Sequence, residues 1–150
     1  MIYILDTNIL IYLIRENAVV KAELSNRGVF DTENTVSISI ASFGEILSFA
    51  LQNNWGDRKK DDLESLIATL RPIPIIKREL LNAYAEIDAY SKGKLIERPL
   101  PKGLTARKMG KNDLWIAATT YLTDAILITN DNDFDHLDGI YFQVIKLSTS

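Results

Sequence analysis

Cysteine is absent from this chain, and histidine occurs once, at His136. The first absence excludes disulfides and thiolate metal sites, and the second excludes a multi-histidine zinc centre. Any metal must therefore be held by oxygen. Long hydrophobic runs are missing as well. The apolar start is broken by Asp6 and Asn8 and has no basic segment before it, so neither a secretory signal nor a membrane span is expected, and a cytoplasmic location is. There is no glycine-rich phosphate loop and no Gly-x-Ser-x-Gly elbow. His136, in Phe134-Asp135-His136-Leu137, reads as a surface or structural residue and not as a base. What remains is an ordinary globular composition: 150 residues, 47% hydrophobic and 25% charged, enough for one domain with a sizeable core. The net charge of -3 gives no global nucleic-acid signal.

Within that composition the opening residues, Met1 to Leu10, stand out. Ile2, Tyr3, Ile4 and Leu5 are apolar without alternation, which predicts a central strand covered on both faces. Asp6, Thr7 and Asn8 then supply turn and cap chemistry for a helix starting at about Ile9. In open α/β sheets, ligands bind outside the carboxyl ends of the strands, which makes this triplet a site candidate as well as a helix cap.

Helices are predicted over 8–15 and 18–26, the second closed by Gly28, followed by a strand over 35–40 and a helix from the Ser39–Ser42 hydroxyls to about Asn53. On that helix Phe43, Ile46, Leu47, Ala50 and Leu51 form an apolar stripe, and Glu45 falls on the other side. A helix over 57–70, a strand over 73–76 and a helix over 77–92 follow. Strands alternating with helices predict an α/β domain with a mostly parallel sheet of four to five strands, spanning 1–150.

From Lys92 to Lys111 the character changes. Pro99, Pro101, Gly103 and Gly110 argue for an extended loop. Lys92, Lys94, Arg98, Lys102, Arg107, Lys108 and Lys111 oppose Glu97 alone, a local excess of six positive charges. Such a segment can neutralise phosphates, with Arg107, Lys108 and Lys111 nearest the next helix, or it can be a solvated loop. The helix from about Asn112 is apolar almost all round, so Asp113 places a carboxylate in its first turn with little access to water. The helix end can hold that charge, but Asn112 could already serve as the cap. A buried strand over 125–129 then stops at Thr129-Asn130-Asp131-Asn132-Asp133, repeating the opening design, and a last strand over 140–145 closes the chain. A calcium loop does not fit there, since the sixth position from Asp131 is His136 and the twelfth is Phe142.

Asp6, Glu45, Asp113, Asp131 and Asp133 thus stand at strand ends and on helices. Parallel strands bring such ends to one edge. Two like charges about 4 Å apart cost roughly 4 kcal/mol at an effective dielectric near 20. Several such pairs compare with a whole domain stability of about 5–15 kcal/mol. Protonation or a bound cation must compensate, and oxygen donors alone select Mg²⁺ or Mn²⁺.

Asp6-Thr7-Asn8 after a first strand, Glu45 on a mid-chain helix, Asn112-Asp113 opening an Ile-Ala-Ala helix, and Thr129 to Phe134 after a strand together resemble the PIN-domain ribonucleases, in particular the VapC-like toxins. The resemblance covers nearly the whole chain. It implies a PIN fold, a Mg²⁺- or Mn²⁺-dependent endoribonuclease acting on RNA, a homodimer, and inhibition by a cognate antitoxin protein. It also implies metal-binding roles for Asp6, Glu45, Asp113 and Asp131, support from Asn8 and Thr129, and an outer role for Asp133. The basic loop looks longer than the link usual in these toxins. A housekeeping PIN nuclease, a non-catalytic metal- or partner-binding module, and a phosphoacceptor domain are the alternatives.

Overall fold

In the computed structural model, which describes residues 1–74 and 77–150, the apolar opening forms strand β1 (Ile2–Leu5), with Tyr3, Ile4 and Leu5 buried. Its two faces feed different cores. Tyr3 and Leu5 join Ile9, Leu10, Ile46, Ala50, Leu63 and Ile67, whereas Ile4 joins Ile87, Tyr90, Leu114, Ile116 and Leu127. Successive strand side chains point to opposite faces, so a strand without polar alternation has to be covered on both sides.

Strands β2 (Thr35–Ser39), β3 (Arg71–Ile73), β4 (Ile126–Thr129) and β5 (Gln143–Lys146) complete a five-stranded sheet in the order β3-β2-β1-β4-β5. Every pairing is parallel. Helices α1 (Thr7–Ile14), α2 (Ala18–Asn26), α3 (Ile40–Gln52) and α4 (Asp57–Thr69) supply the first core, and α5 (Arg78–Ser91) and α6 (Lys111–Leu122) the second. This is the expected α/β architecture. Because β2 and β3 lie on one side of β1 and β4 and β5 on the other, the winding reverses between β1 and β4. Such a switch point opens a crevice at the carboxyl ends of the two strands. No helix among the described residues is long and apolar enough to cross a membrane.

Some boundaries differ from expectation, each for a local reason. Helix α1 starts at Thr7 instead of Ile9, because Asp6 is itself the cap. Ile40 opens α3 instead of ending β2, since Ser39 Oγ accepts from the Ala41 N–H at 3.2 Å. Strand β3 includes Pro72, which its edge position tolerates, and stops at Ile73; Ile75 and Ile76, where a strand was expected, lie outside the described residues. Backbone N–H groups of Ile140 and Tyr141 still donate to the Leu137 carbonyl, so β5 begins only at Gln143. On α3 the buried seam is Ser42, Ile46 and Ala50, one i,i+4 row, which leaves Leu47 and Leu51 at 39% and 72% exposure. Between Gly93 and Gly110 there is no helix or strand, yet this strap is packed down: Met109 is buried, and Leu95 and Leu100 lie against the second core.

Candidate functional site

Leu5 of β1 pairs with Ile128 of β4, so Asp6 emerges beside Thr129 at the switch point. The Asp6 N–H extends the ladder by donating to the Ile128 carbonyl at 3.0 Å. Its carboxylate accepts from the Thr7 N–H at 2.7 Å and from the Thr129 hydroxyl at 2.6 Å, one donor to each oxygen. Asp6 is therefore fixed and buried. Burial pushes its carboxyl up to about 6, with Asp131 and Glu45 adding repulsion against the two hydrogen bonds.

Thr7 reaches across to α3, where its hydroxyl donates to Glu45 Oε1 at 2.8 Å. Glu45 is accordingly half-buried instead of solvated. Asp113 lies in the first turn of α6. The cap is Gly110, which offers no side chain, so Asn112 does not play the cap role expected of it; it is exposed and lines a groove with Gly44, Glu45 and Gln52. Burial raises the Asp113 carboxyl to about 7, followed by repulsion from Asp6, Asp131, Asp133 and Glu45. A helix N-terminus lowers a carboxyl pKa, so burial and four neighbouring acids outweigh it here.

At the end of β4, Thr129 serves a second partner: its hydroxyl accepts from the Asp131 N–H at 2.9 Å. Asp131 Oδ1 in turn accepts from the Asp133 N–H at 2.9 Å, and a 3₁₀ turn runs over Asn132–Leu137. One carboxylate oxygen from each of Asp113, Asp131 and Asp133 lies within 4.8 Å of the others. Asp6, Asn8, Glu45, Asp113 and Asp131, with Thr7, Ile11 and Phe49, line one cavity of 260 Å³. None of the four ion pairs among the described residues involves these acids. Five carboxylates without a nitrogen or sulfur donor among them suit a hard divalent cation.

The three expected basic residues divide. Arg107 Nη1 donates to the carbonyls of Asn132 and Asp133 at 3.2 and 3.5 Å, while Lys108 and Lys111 are exposed. Arg107, Lys108 and Asp133 share a neighbouring cavity of 270 Å³. His136 is a buried structural residue, with Nε2 2.7 Å from Ser91 Oγ. Burial, with the nearby Arg107 charge, holds it down to about 4. The sequence pattern gives Thr7 only a turn role and assigns no role to the apolar walls Ile11 and Phe49. Phe49 stands one helical turn after Glu45, a usable signal, whereas nothing local pairs Thr7 with a residue 38 positions away.

Solved structures with the same fold include chains of a VapBC2 complex from Rickettsia felis bound to a promoter DNA fragment (23% identity, 99% of this chain and 100% of that one, TM-score 0.75). FitAcB from Neisseria gonorrhoeae is similar at 24% identity, over 97% of both chains, with a TM-score of 0.69. A toxin-antitoxin complex from Klebsiella pneumoniae is similar at 22% identity, over 96% of both chains, with a TM-score of 0.65. Among curated proteins, none matches the chain by sequence. The family model for the PIN domain matches residues 3–140. That span runs from the strand delivering Asp6 past the turn carrying Asp133, so the whole acidic centre lies inside the shared domain, and the chain belongs to the PIN-domain family.

Proposed function

We propose that this protein is a Mg²⁺- or Mn²⁺-dependent endoribonuclease of the cytoplasm, acting as the toxin of a toxin–antitoxin pair. The observation that carries the reading is the convergence of Asp6, Glu45, Asp113 and Asp131, with Asp133 beside them, on one cavity where, among the described residues, no cationic side chain forms an ion pair with them. Metal-binding and catalytic roles fall to the first four. When bound, the divalent cation supplies Lewis acidity towards a phosphodiester and lowers the pKa of a water ligand. The chain's own part is to aim and hold the oxygens. Thr129 and the Thr7 N–H immobilise Asp6, the Thr7 hydroxyl orients Glu45, and Thr129 also holds the backbone at Asp131. Asn8 and Asn112 serve as supporting polar groups, and the exposed Lys108 and Lys111 are the cations assigned to the RNA backbone.

The partners in this reading are RNA, a second copy of the chain and a cognate antitoxin. The VapBC and toxin–antitoxin complexes among similar folds support the antitoxin. Exposed Leu51 and Ile96, at 72% and 92%, are apolar side chains of the kind protein partners cover.

Purified protein should cleave structured RNA with Mg²⁺ or Mn²⁺, and Asp6→Asn or Asp113→Asn should each lose on the order of 10²-fold or more, the scale of removing one electrostatic group from a catalytic centre. Cleavage persisting in both variants sinks the proposal. Growth arrest on expression, relieved by Asp113→Asn, separates a toxin from a housekeeping nuclease.

A further inference from the structure

Asp131 and Asp133 lead into a turn anchored further on by the buried Phe134, His136 and Leu137, but Asp133 itself is exposed, so its own packing does not set where its carboxylate points. Two hydrogen bonds within the acidic loop act on it: Asp131 N–H to Thr129 Oγ1 and Asp133 N–H to Asp131 Oδ1. Lys146 Nζ adds a contact to Asn132 Oδ1. Arg107 acts on the same loop through the loop backbone, with Nη1 donating to the carbonyls of Asn132 and Asp133.

Arg107 works from a fixed base. Its backbone N–H donates to the Ser91 carbonyl at 2.8 Å, at the end of α5. Two residues on, Met109 is buried, with its sulfur 3.4 Å from Ser91 Oγ. The same Ser91 hydroxyl meets His136 Nε2 on the 3₁₀ turn that begins at Asn132. Strap, α5 and acidic loop are thus tied together at one buried serine, and the guanidinium projects from that knot onto the loop backbone. A cation on the carbonyl side of a turn that bears Asp131, Asp133 and Asp135 also offsets their mutual repulsion.

We infer that Arg107 is a positioning residue for the acidic centre: by gripping the Asn132 and Asp133 carbonyls it sets the turn that aims the Asp131 and Asp133 carboxylates. The inference rests on the proposed metal centre and gives Arg107 a different task from gripping phosphate. A phosphate contact through Nη1 would compete with the two carbonyls it holds, which leaves Nε and Nη2 as the donors for any other partner. Second-sphere partners of this kind typically govern metal affinity by about 10–100-fold.

The test is Mn²⁺ titration by calorimetry, without RNA, of the parent, Arg107→Ala, Arg107→Lys and Lys108→Ala, together with amide exchange of residues 131–134 in the metal-free proteins. Arg107→Ala should weaken Mn²⁺ binding about 10–100-fold and speed exchange at the Asp133 amide. Arg107→Lys, able to reach one carbonyl, should recover part of both, and Lys108→Ala should match the parent. Should the alanine variant not fold, Arg107→Gln, which keeps part of the apolar stem but neither the charge nor the reach of Nη1, decides in the same way. Parental Mn²⁺ affinity and exchange, with the salt slope of RNA binding lowered by about 0.7–0.9, would mark Arg107 as a phosphate contact and overturn the inference while leaving the nuclease standing. A parent that binds no Mn²⁺ overturns both.

Discussion

The acidic centre gathers Asp6, Glu45, Asp113 and Asp131 around one partly buried cavity, whereas the neighbouring strap keeps its cations apart. Arg98 stacks over the Tyr141 ring at 4.6 Å, Arg107 holds loop carbonyls, and Lys92 just before the strap pairs with Asp88 at 2.8 Å. Lys94, Lys102 and Lys108 stand in water. Two unit charges 4 Å apart interact by about 1 kcal/mol in bulk water and about 4 kcal/mol at an effective dielectric of 20, so like charges have different consequences in the two regions. The strap can carry its charges indefinitely. In the acidic centre burial first, and mutual repulsion after it, raises the carboxyls of Asp6 and Asp113, a strain that a bound cation would relieve.

The sharpest way to break this contrast is to add metal. At a hundredfold excess over Kd, Mn²⁺ should stabilise the parent by about 2.7 kcal/mol. For a chain of this size that is a rise in Tm of roughly 5–10 °C. Asp6→Asn should show almost none of it; an equal rise in that variant would mean the ion binds elsewhere. Next in size is Thr129→Val, which removes the hydroxyl that donates to Asp6 and accepts from the Asp131 N–H. Leaving a buried carboxylate short of a partner should cost about 1.5–3 kcal/mol in denaturant unfolding of the metal-free protein.

A smaller effect follows from pH. The folded pKa of Asp113, about 7, lies above its ordinary 3.8, so this group's contribution to stability is full below 3.8 and lost as pH rises through about 7. His136 has the opposite sign: its contribution is present above 6.5 and lost as pH falls through about 4. The two oppose each other in the parent, but the difference between parent and Asp113→Asn isolates the aspartate. Metal-free Asp113→Asn should melt a few degrees above the parent at pH 8 and match it near pH 4. A variant less stable at pH 8 would show that Asp113 is not strained. Smallest of all, Lys102→Ala on the strap should shift stability by no more than about 0.5 kcal/mol. If Lys102 meets RNA, the same change lowers the salt slope of binding by about 0.7–0.9, a readout stability does not share.

Much of the fold was legible residue by residue. The unbroken Ile2–Leu5 run marked a strand covered on both faces, and the helices over 18–26 and 57–69 carried their own start and stop signals. The differences were local as well: α1 starts at Thr7 instead of near Ile9, β2 ends at Ser39 instead of Ile40, and α3 buries a narrower seam than its apolar stripe. In the site, Asp6, Glu45, Asp113 and Asp131 were identifiable, but Thr7 was not, because its role depends on a glutamate brought close by helix packing.

By itself, the sequence determined the order of elements, the polar stops after β1 and β4, and an all-oxygen donor set in a chain without cysteine and with one histidine. These follow from periodicity, capping and composition, which act within a few residues. Tertiary structure alone decided that acids spread from position 6 to 133 converge while a contiguous basic run disperses, that Thr129 serves both Asp6 and Asp131, and that Arg107 faces the acidic loop. Coulomb energy and desolvation depend on distance through space and on access to water, and in this chain the strand order β3-β2-β1-β4-β5 sets both.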